Sequence, residues 1–190
     1  MTPEPIHVAL LIGSTRDGRF GTTVAGWIAG AITARAEYDL DVIDLAEADL
    51  PHVWTREPST PLTDFRSRLA RAEAFVVVTP EYNHSYPAPL KQAIDLSGGE
   101  FARKPVAFVS YGGLSGGLRA VEHLRPVFSE VHAATIREVV SFHGAWERFD
   151  ADGRPHDPGA NVAAEVMLDD LAWWAVTLRA GRLAAATVGS

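Results

Sequence analysis

Three short runs, IHVALLI (6–12), AFVVVTP (74–80) and PVAFVSY (105–111), constrain this chain most. Each is apolar at nearly every position and rich in branched residues. A strand with one wet face alternates apolar and polar residues, whereas a strand covered on both faces reads as a continuous apolar run. The runs therefore predict strands at the centre of a sheet with helices on both sides. Between them the period changes. Val24, Ile28, Ala31 and Ile32 fall at i, i+4, i+7 and i+8, one face of a helix from residue 21 to about 35. Residues 38–45 read as a second strand, 62–72 as a short helix, and 87–96 as a helix opening on proline, which costs little in a first turn. Residues 116–129 read as a helix that Pro126 is expected to bend or end early. Residues 135–142 form a fifth strand. The last helix is expected from about 160 to 179, with Met167, Leu171, Trp174 and Leu178 on one face and Arg179 and Arg182 suited to its C-terminal dipole. Residues 51–61 and 147–161 read as loops.

Five strands alternating with helices predict an α/β fold with a parallel sheet. The expected architecture is a flavodoxin-like three-layer sandwich of order 2-1-3-4-5, in a single domain over residues 1–190. Ligands of such sheets bind at the carboxyl ends of the strands, where the strand order reverses. Here that point lies between strands 1 and 3. The segments GSTRDGRFGTT, TPEYNHSYPAPLKQAID and SYGGLSGGLRA follow strands 1, 3 and 4, so all three are expected to open on one rim.

Bulk properties narrow the chemistry. A formal net charge of −7 argues against nonspecific nucleic-acid binding, which needs a basic face. The absence of cysteine excludes disulfides, thiolate metal sites and thiol redox catalysis, so redox chemistry needs a bound cofactor. The histidines show no metal-binding spacing. No apolar stretch is long enough to span a membrane. The N-terminus lacks the pattern of a secretory signal, so the expected location is the cytoplasm.

GSTRDGRFGTT has Arg19 and Phe20 where a triphosphate-hydrolysing loop needs lysine and a hydroxyl residue, and it lacks the glycine spacing of a dinucleotide turn. What remains is Ser14, Arg16, Arg19, Phe20, Gly21 and Thr22 at the start of a helix, a setting that suits a phosphate monoester. TPEYN, with Pro80, Glu81, Tyr82 and Asn83, is a stiff polar and aromatic loop suited to a flat heteroaromatic ring. The glycine-rich third loop, with Gly112 and Gly113, lets backbone lie close to a ligand. Gly113 to Gly117 also reads as G-x-S-x-G between a strand and a helix. A serine hydrolase using Ser115, with Asp150 or Asp152 and His156, is therefore an alternative.

GSTRDGRFG, TPEYNHSYPAPLKQAID and SYGGLSGGLRAVEHLR together resemble the NADPH-dependent FMN reductase family, which includes quinone, chromate and azo-dye reductases. The resemblance implies that the flavin phosphate lies on Ser14, Arg16, Phe20 and the amides near Gly21, with Thr22 nearby as a side-chain substitute. It places the isoalloxazine against Pro80, Glu81, Tyr82 and Asn83, and against Ser110, Gly112, Gly113 and Ser115. It implies FMN as cofactor, NADPH or NADH as electron donor, a small-molecule electron acceptor, and a homodimer or homotetramer. It also implies that the flavin carries the chemistry, with no catalytic triad. A non-catalytic flavin-binding redox module shares these features and is the other alternative. Trp146, Trp173 and Trp174 are candidate subunit-contact residues, with core packing the plainer role for Trp174.

Overall fold

The computed structural model describes residues 4–54 and 56–188, with the side chains of 187 and 188 left aside. Five strands, β1 (Ile6–Ile12), β2 (Tyr38–Asp44), β3 (Ala74–Pro80), β4 (Pro105–Gly112) and β5 (Ala134–His143), alternate with helices. They form one parallel sheet of order β2-β1-β3-β4-β5. The helices are α1 (Gly21–Thr33), α2 (Thr60–Arg71), α3 (Ala88–Asp95), α4 (Leu118–Glu130) and α5 (Gly159–Val188), with a 3-10 turn at Ala145–Glu147. The doubly wound fold expected from the alternation is the one adopted.

Both sheet faces are covered, which is why the central runs are apolar throughout. Val8, Leu10 and Ile12 of β1, with Val76 and Val78 of β3, pack under α1 and α5. Ala9 and Leu11, with Phe75 and Val77, pack under α2, α3 and α4. The edge strand β2 keeps alternation, with Asp39 and Asp41 among its apolar residues.

Two details refine the expectation. Pro126 lies inside α4 without ending it, and the helix continues to Glu130. Pro126 is on the exposed side, while Leu124 and Phe128 on the other side are buried; that burial offsets a proline cost of about 3 kcal/mol. Helix α5 continues past residue 179 to Val188 through an alanine-rich stretch, alanine being the strongest helix former. Arg179 and Arg182 therefore lie before the last turn. They converge on Glu73, with Arg179 Nε at 3.2 Å and Arg182 Nη2 at 4.0 Å from its Oε1. Among the described residues, no helix is long and apolar enough to cross a membrane.

Candidate functional site

Strand register puts the three loops on one rim. Ile12 pairs with Val78, Pro80 with Tyr111, and Gly112 with His143, so β1, β3, β4 and β5 end near one level. The loops then interlock. The hydroxyls of Ser14 and Tyr82 share a hydrogen bond of 2.6 Å. The Arg16 guanidinium lies over the Tyr82 ring, 3.7 Å from its centroid. The Glu81 amide donates to the Tyr111 carbonyl at 3.2 Å.

The second loop is a tight hairpin. Tyr82 and Ser85 exchange backbone bonds of 2.8 and 3.1 Å, while Asn83 and His84 adopt φ of +50° and +73°. Two left-handed central residues define a turn that asparagine tolerates better than most side chains. The turn fixes Tyr82 against Ser14 and Arg16. Among the described residues no three histidine, aspartate or glutamate side chains are placed to hold a metal ion together. His84 instead lies beside His123, whose Nδ1 is 3.0 Å from Ser85 Oγ.

The third loop is shaped by what lies beneath it. Gly116 and Gly117 adopt φ of +61° and +85°. A Cβ on Gly116 would meet Ser141 Oγ at 2.4 Å, and one on Gly117 would meet the Tyr111 amide at 2.8 Å, so neither position admits a side chain. The hydroxyls of Ser110 and Ser141 both donate to the Gly116 carbonyl, each at 2.9 Å. Gly113 opens outward, with no atom within 4 Å of its notional Cβ.

Glu81 ties the second loop to the third. Its carboxylate accepts from Ser115 Oγ and, at 3.1 Å, from Arg119 Nη1. Burial raises the affinity of this carboxyl for a proton. The Ser115 and Arg119 bonds outweigh that effect and hold it below the usual carboxylate range. Ser115 is thus bound to a carboxylate rather than to a histidine. Asp150 accepts from the amides of Asp152 and Arg154 and so closes its own turn, and the exposed Asp152 side chain pairs with Arg154 at 3.3 Å. The Ser115 triad is not assembled by these bonds.

Not every expected residue faces the same way. Arg19 instead pairs with Asp44 at the carboxyl end of β2. Its Nε is buried with no hydrogen-bond partner among the described residues. Ser110 is fully buried, with its hydroxyl committed below the loop. Thr22 is exposed and its hydroxyl donates to the Arg19 carbonyl at 3.3 Å. Phe20 packs edge-on against Tyr111 and Phe149, its ring centroid 6.2 and 5.5 Å away. Helix α1 opens with no side-chain cap and no acidic residue in its first turn, a setting able to receive an anion. Asp44, Tyr111 and Arg119 complete the arrangement. Their signal in the sequence is position alone, since each lies at the carboxyl end of a strand or in the first turn of the following helix.

The NADPH-dependent FMN reductase family matches residues 6–147. A probable NADPH:quinone oxidoreductase of Oryza sativa is 30% identical, over 94% of this chain and 93% of that protein. An NAD(P)H-dependent FMN reductase of Schizosaccharomyces pombe is 35% identical, but the match spans 62% of each chain. Among solved structures, the flavoenzyme NAD(P)H:(acceptor) oxidoreductase of Paracoccus denitrificans superposes with a TM-score of 0.74 at 24% identity, over 90% of this chain and 98% of that one, a likeness of fold. The chain belongs to the NADPH-dependent FMN reductase family.

Proposed function

We propose that this chain is an NAD(P)H-dependent oxidoreductase that binds FMN on the rim and passes electrons to a small acceptor. The interlock of Ser14, Arg16 and Tyr82 carries this reading, because it brings an anion-binding loop and an aromatic ring platform together. The residues present fit the phosphate: an uncapped helix N-terminus, an exposed arginine beside it, and the unsatisfied Nε of Arg19. Ser14, Arg16, Phe20 and the amides of Gly21 and Thr22 hold the phosphate. Arg19 braces the loop through Asp44 and offers its remaining donor. Pro80 to Asn83 and the Gly112, Gly113 and Ser115 segment flank the ring, with Ser110 fixing that segment from below.

When bound, FMN supplies the hydride and electron chemistry, and the protein binds and orients it. Glu81, Ser115 and Arg119 keep the ring platform rigid. No side chain is assigned as acid, base or nucleophile. The acceptor class includes quinones, chromate, azo compounds and free flavin, and the donor is NADPH or NADH. Relatives named for quinone reduction, including a quinone reductase of Escherichia coli 35% identical over 71% of this chain and 76% of that one, support the class. Self-assembly into a dimer or tetramer is supported by apolar residues exposed on the rim loops, Val53, Trp54, Leu114 and Trp146. The working location is the cytoplasm, where NAD(P)H is available.

The test is an absorbance spectrum after incubation with FMN and gel filtration, then anaerobic addition of NADPH or NADH. Flavin bands that travel with the protein and bleach on addition support the proposal. Bands that persist with either donor leave a flavin-binding module without the activity. Failure to bind FMN in equilibrium titration refutes the site.

A further inference from the structure

Strand β5 polarises the third loop. The Gly113 carbonyl accepts from the Gly144 amide at 3.0 Å, and the Leu114 carbonyl from His143 Nδ1 at 3.1 Å. The Gly116 carbonyl accepts from Ser110 and Ser141 below it. The carbonyls of Ser115 and Gly117 accept from the amides of Leu118 and Val121 in α4. Every carbonyl from Gly113 to Gly117 is therefore taken. A peptide unit is planar and trans, so its N–H points opposite to its C=O. The carbonyls of Gly113 and Leu114 reach the end of β5, so the amides of Leu114 and Ser115 are directed away from β5. Because β4 lies between β3 and β5, that direction leads toward the second loop, which follows β3. Neither amide donates to another described residue.

We propose that His143 is a positioning residue for the isoalloxazine: by holding the Leu114 carbonyl toward β5, it turns the Leu114 and Ser115 amides to the polar edge of the ring. This role rests on the flavin reading above. A carbonyl only accepts, so His143 Nδ1 carries the hydrogen of this bond. The imidazole also lies against the loop, since a Cβ on Gly116 would meet its Cδ2 at 2.5 Å and its Nε2 at 2.8 Å. Packing does little to hold the tip, because Leu114 is 87% exposed and the notional Cβ of Gly113 meets nothing within 4 Å. The bonds from β5 set its direction. Of the two at the tip, the one from Gly144 is backbone, so the His143 side chain is the part that the sequence can vary. Amides aimed at the ring's polar edge stabilise negative charge, which builds there as the ring takes up electrons. Loss of the His143 bond therefore weakens the grip on the reduced ring more than on the oxidised ring, and the potential falls. The phosphate is held by the loop after β1, so its contacts are spared.

The experiment compares the full chain as wild type, His143→Ala and His143→Asn. Asparagine carries an amide N–H on its γ carbon, as histidine carries Nδ1, so it restores the donor that alanine removes. Affinities for FMN and riboflavin are measured by titration, and the potential of bound FMN by equilibration with a reference dye. For His143→Ala the expected result is an equal loss for the two oxidised ligands, about fivefold for one hydrogen bond. Reduced FMN is expected to lose a further tenfold, which is a fall of about 30 mV for a two-electron couple. His143→Asn is expected to recover most of both. An unchanged potential in His143→Ala overturns the positioning role. So does a loss confined to FMN, which would place the effect at the phosphate, and so does a loss that asparagine leaves uncorrected. Amide resonances of Leu114 and Ser115 in the flavin-free protein read the loop alone. They are expected to move in His143→Ala and return in His143→Asn, and resonances that stay in place overturn the role. A wild type that binds neither ligand refutes the flavin reading itself, and the role falls with it.

Discussion

The phenol oxygen of Tyr111 stands over Gly21 so closely that a Cβ on residue 21 would lie 2.6 Å from it. Tyr111 is 4% exposed, so it has little room to retreat. The first loop closes on β4 because residue 21 has no side chain. Gly21→Ala is expected to cost about 1–3 kcal/mol as an overpacking change. Tyr111→Phe in the same background removes the clashing oxygen and should recover most of that loss. Urea unfolding of the two single variants and the double variant measures the coupling. Strictly additive losses would mean that the contact is not the source.

Arg16 and Arg19 have different partners, so their loss should read differently. Arg16 is exposed and lies on Tyr82, where it can reach a phosphate. Arg16→Ala should weaken FMN binding by about 1.5–3 kcal/mol, the range for a charge-assisted bond. Riboflavin has no phosphate, and its affinity should stay the same. Arg19→Ala breaks the pair with Asp44 and should appear mainly as lost stability, about 1–3 kcal/mol. Titration calorimetry with both ligands separates the two roles; an equal loss for riboflavin in Arg16→Ala would remove the phosphate assignment.

That division of labour was the least legible part of the sequence. The central strands were readable because both faces are buried, so Val8 and Ala9 are equally apolar although they face opposite layers. The rim was readable because loops after β1, β3 and β4 converge in this strand order. The partner of Arg19 was not, because Asp44 lies 25 residues away on a strand whose carboxyl end carries no motif. Ser110 sits in an apolar run, and only its bond to Gly116 reveals that it props the third loop rather than facing outward. The end of α5 was missed for the opposite reason: Arg179 and Arg182 look like helix-terminal cations, yet Glu73 holds them in mid-helix.

Ser115 gives a direct contrast between the oxidoreductase and hydrolase readings. Its hydroxyl donates to Glu81, a carboxylate kept ionised by Arg119. An acyl-transfer serine needs a neutral base positioned to take its proton, most often histidine. Ser115→Ala should leave NAD(P)H consumption within about tenfold, since it removes one brace of the ring platform worth about 1 kcal/mol. A fluorophosphonate should not label the wild-type protein. Labelling at Ser115, with loss of ester turnover in the variant, would restore the hydrolase.

Lys104 offers a test of the fold away from the site. It is 8% exposed, and its Nζ donates to the carbonyls of Leu69 and Ala70 at 3.0 and 2.9 Å, capping the end of α2. Burial, aided by the nearby Arg182, pushes its ammonium down to about 8, against the pull of Glu100 and Glu73. In the unfolded chain a lysine titrates near 10.4. Between those values the unfolded chain holds a proton that the folded chain has released, so stability rises with pH through this window. The gain approaches about 3 kcal/mol if the window is crossed fully. Above about pH 10 the unfolded tyrosines ionise, whereas burial raises Tyr38 and Tyr111 in the fold, and that opposes the gain. The comparison is therefore best made from pH 7 to 10 against Lys104→Met, which has no proton to release. The stability difference, wild type minus variant, should grow steadily across that range. A difference independent of pH would show that the two carbonyls hold the ammonium charged despite its burial.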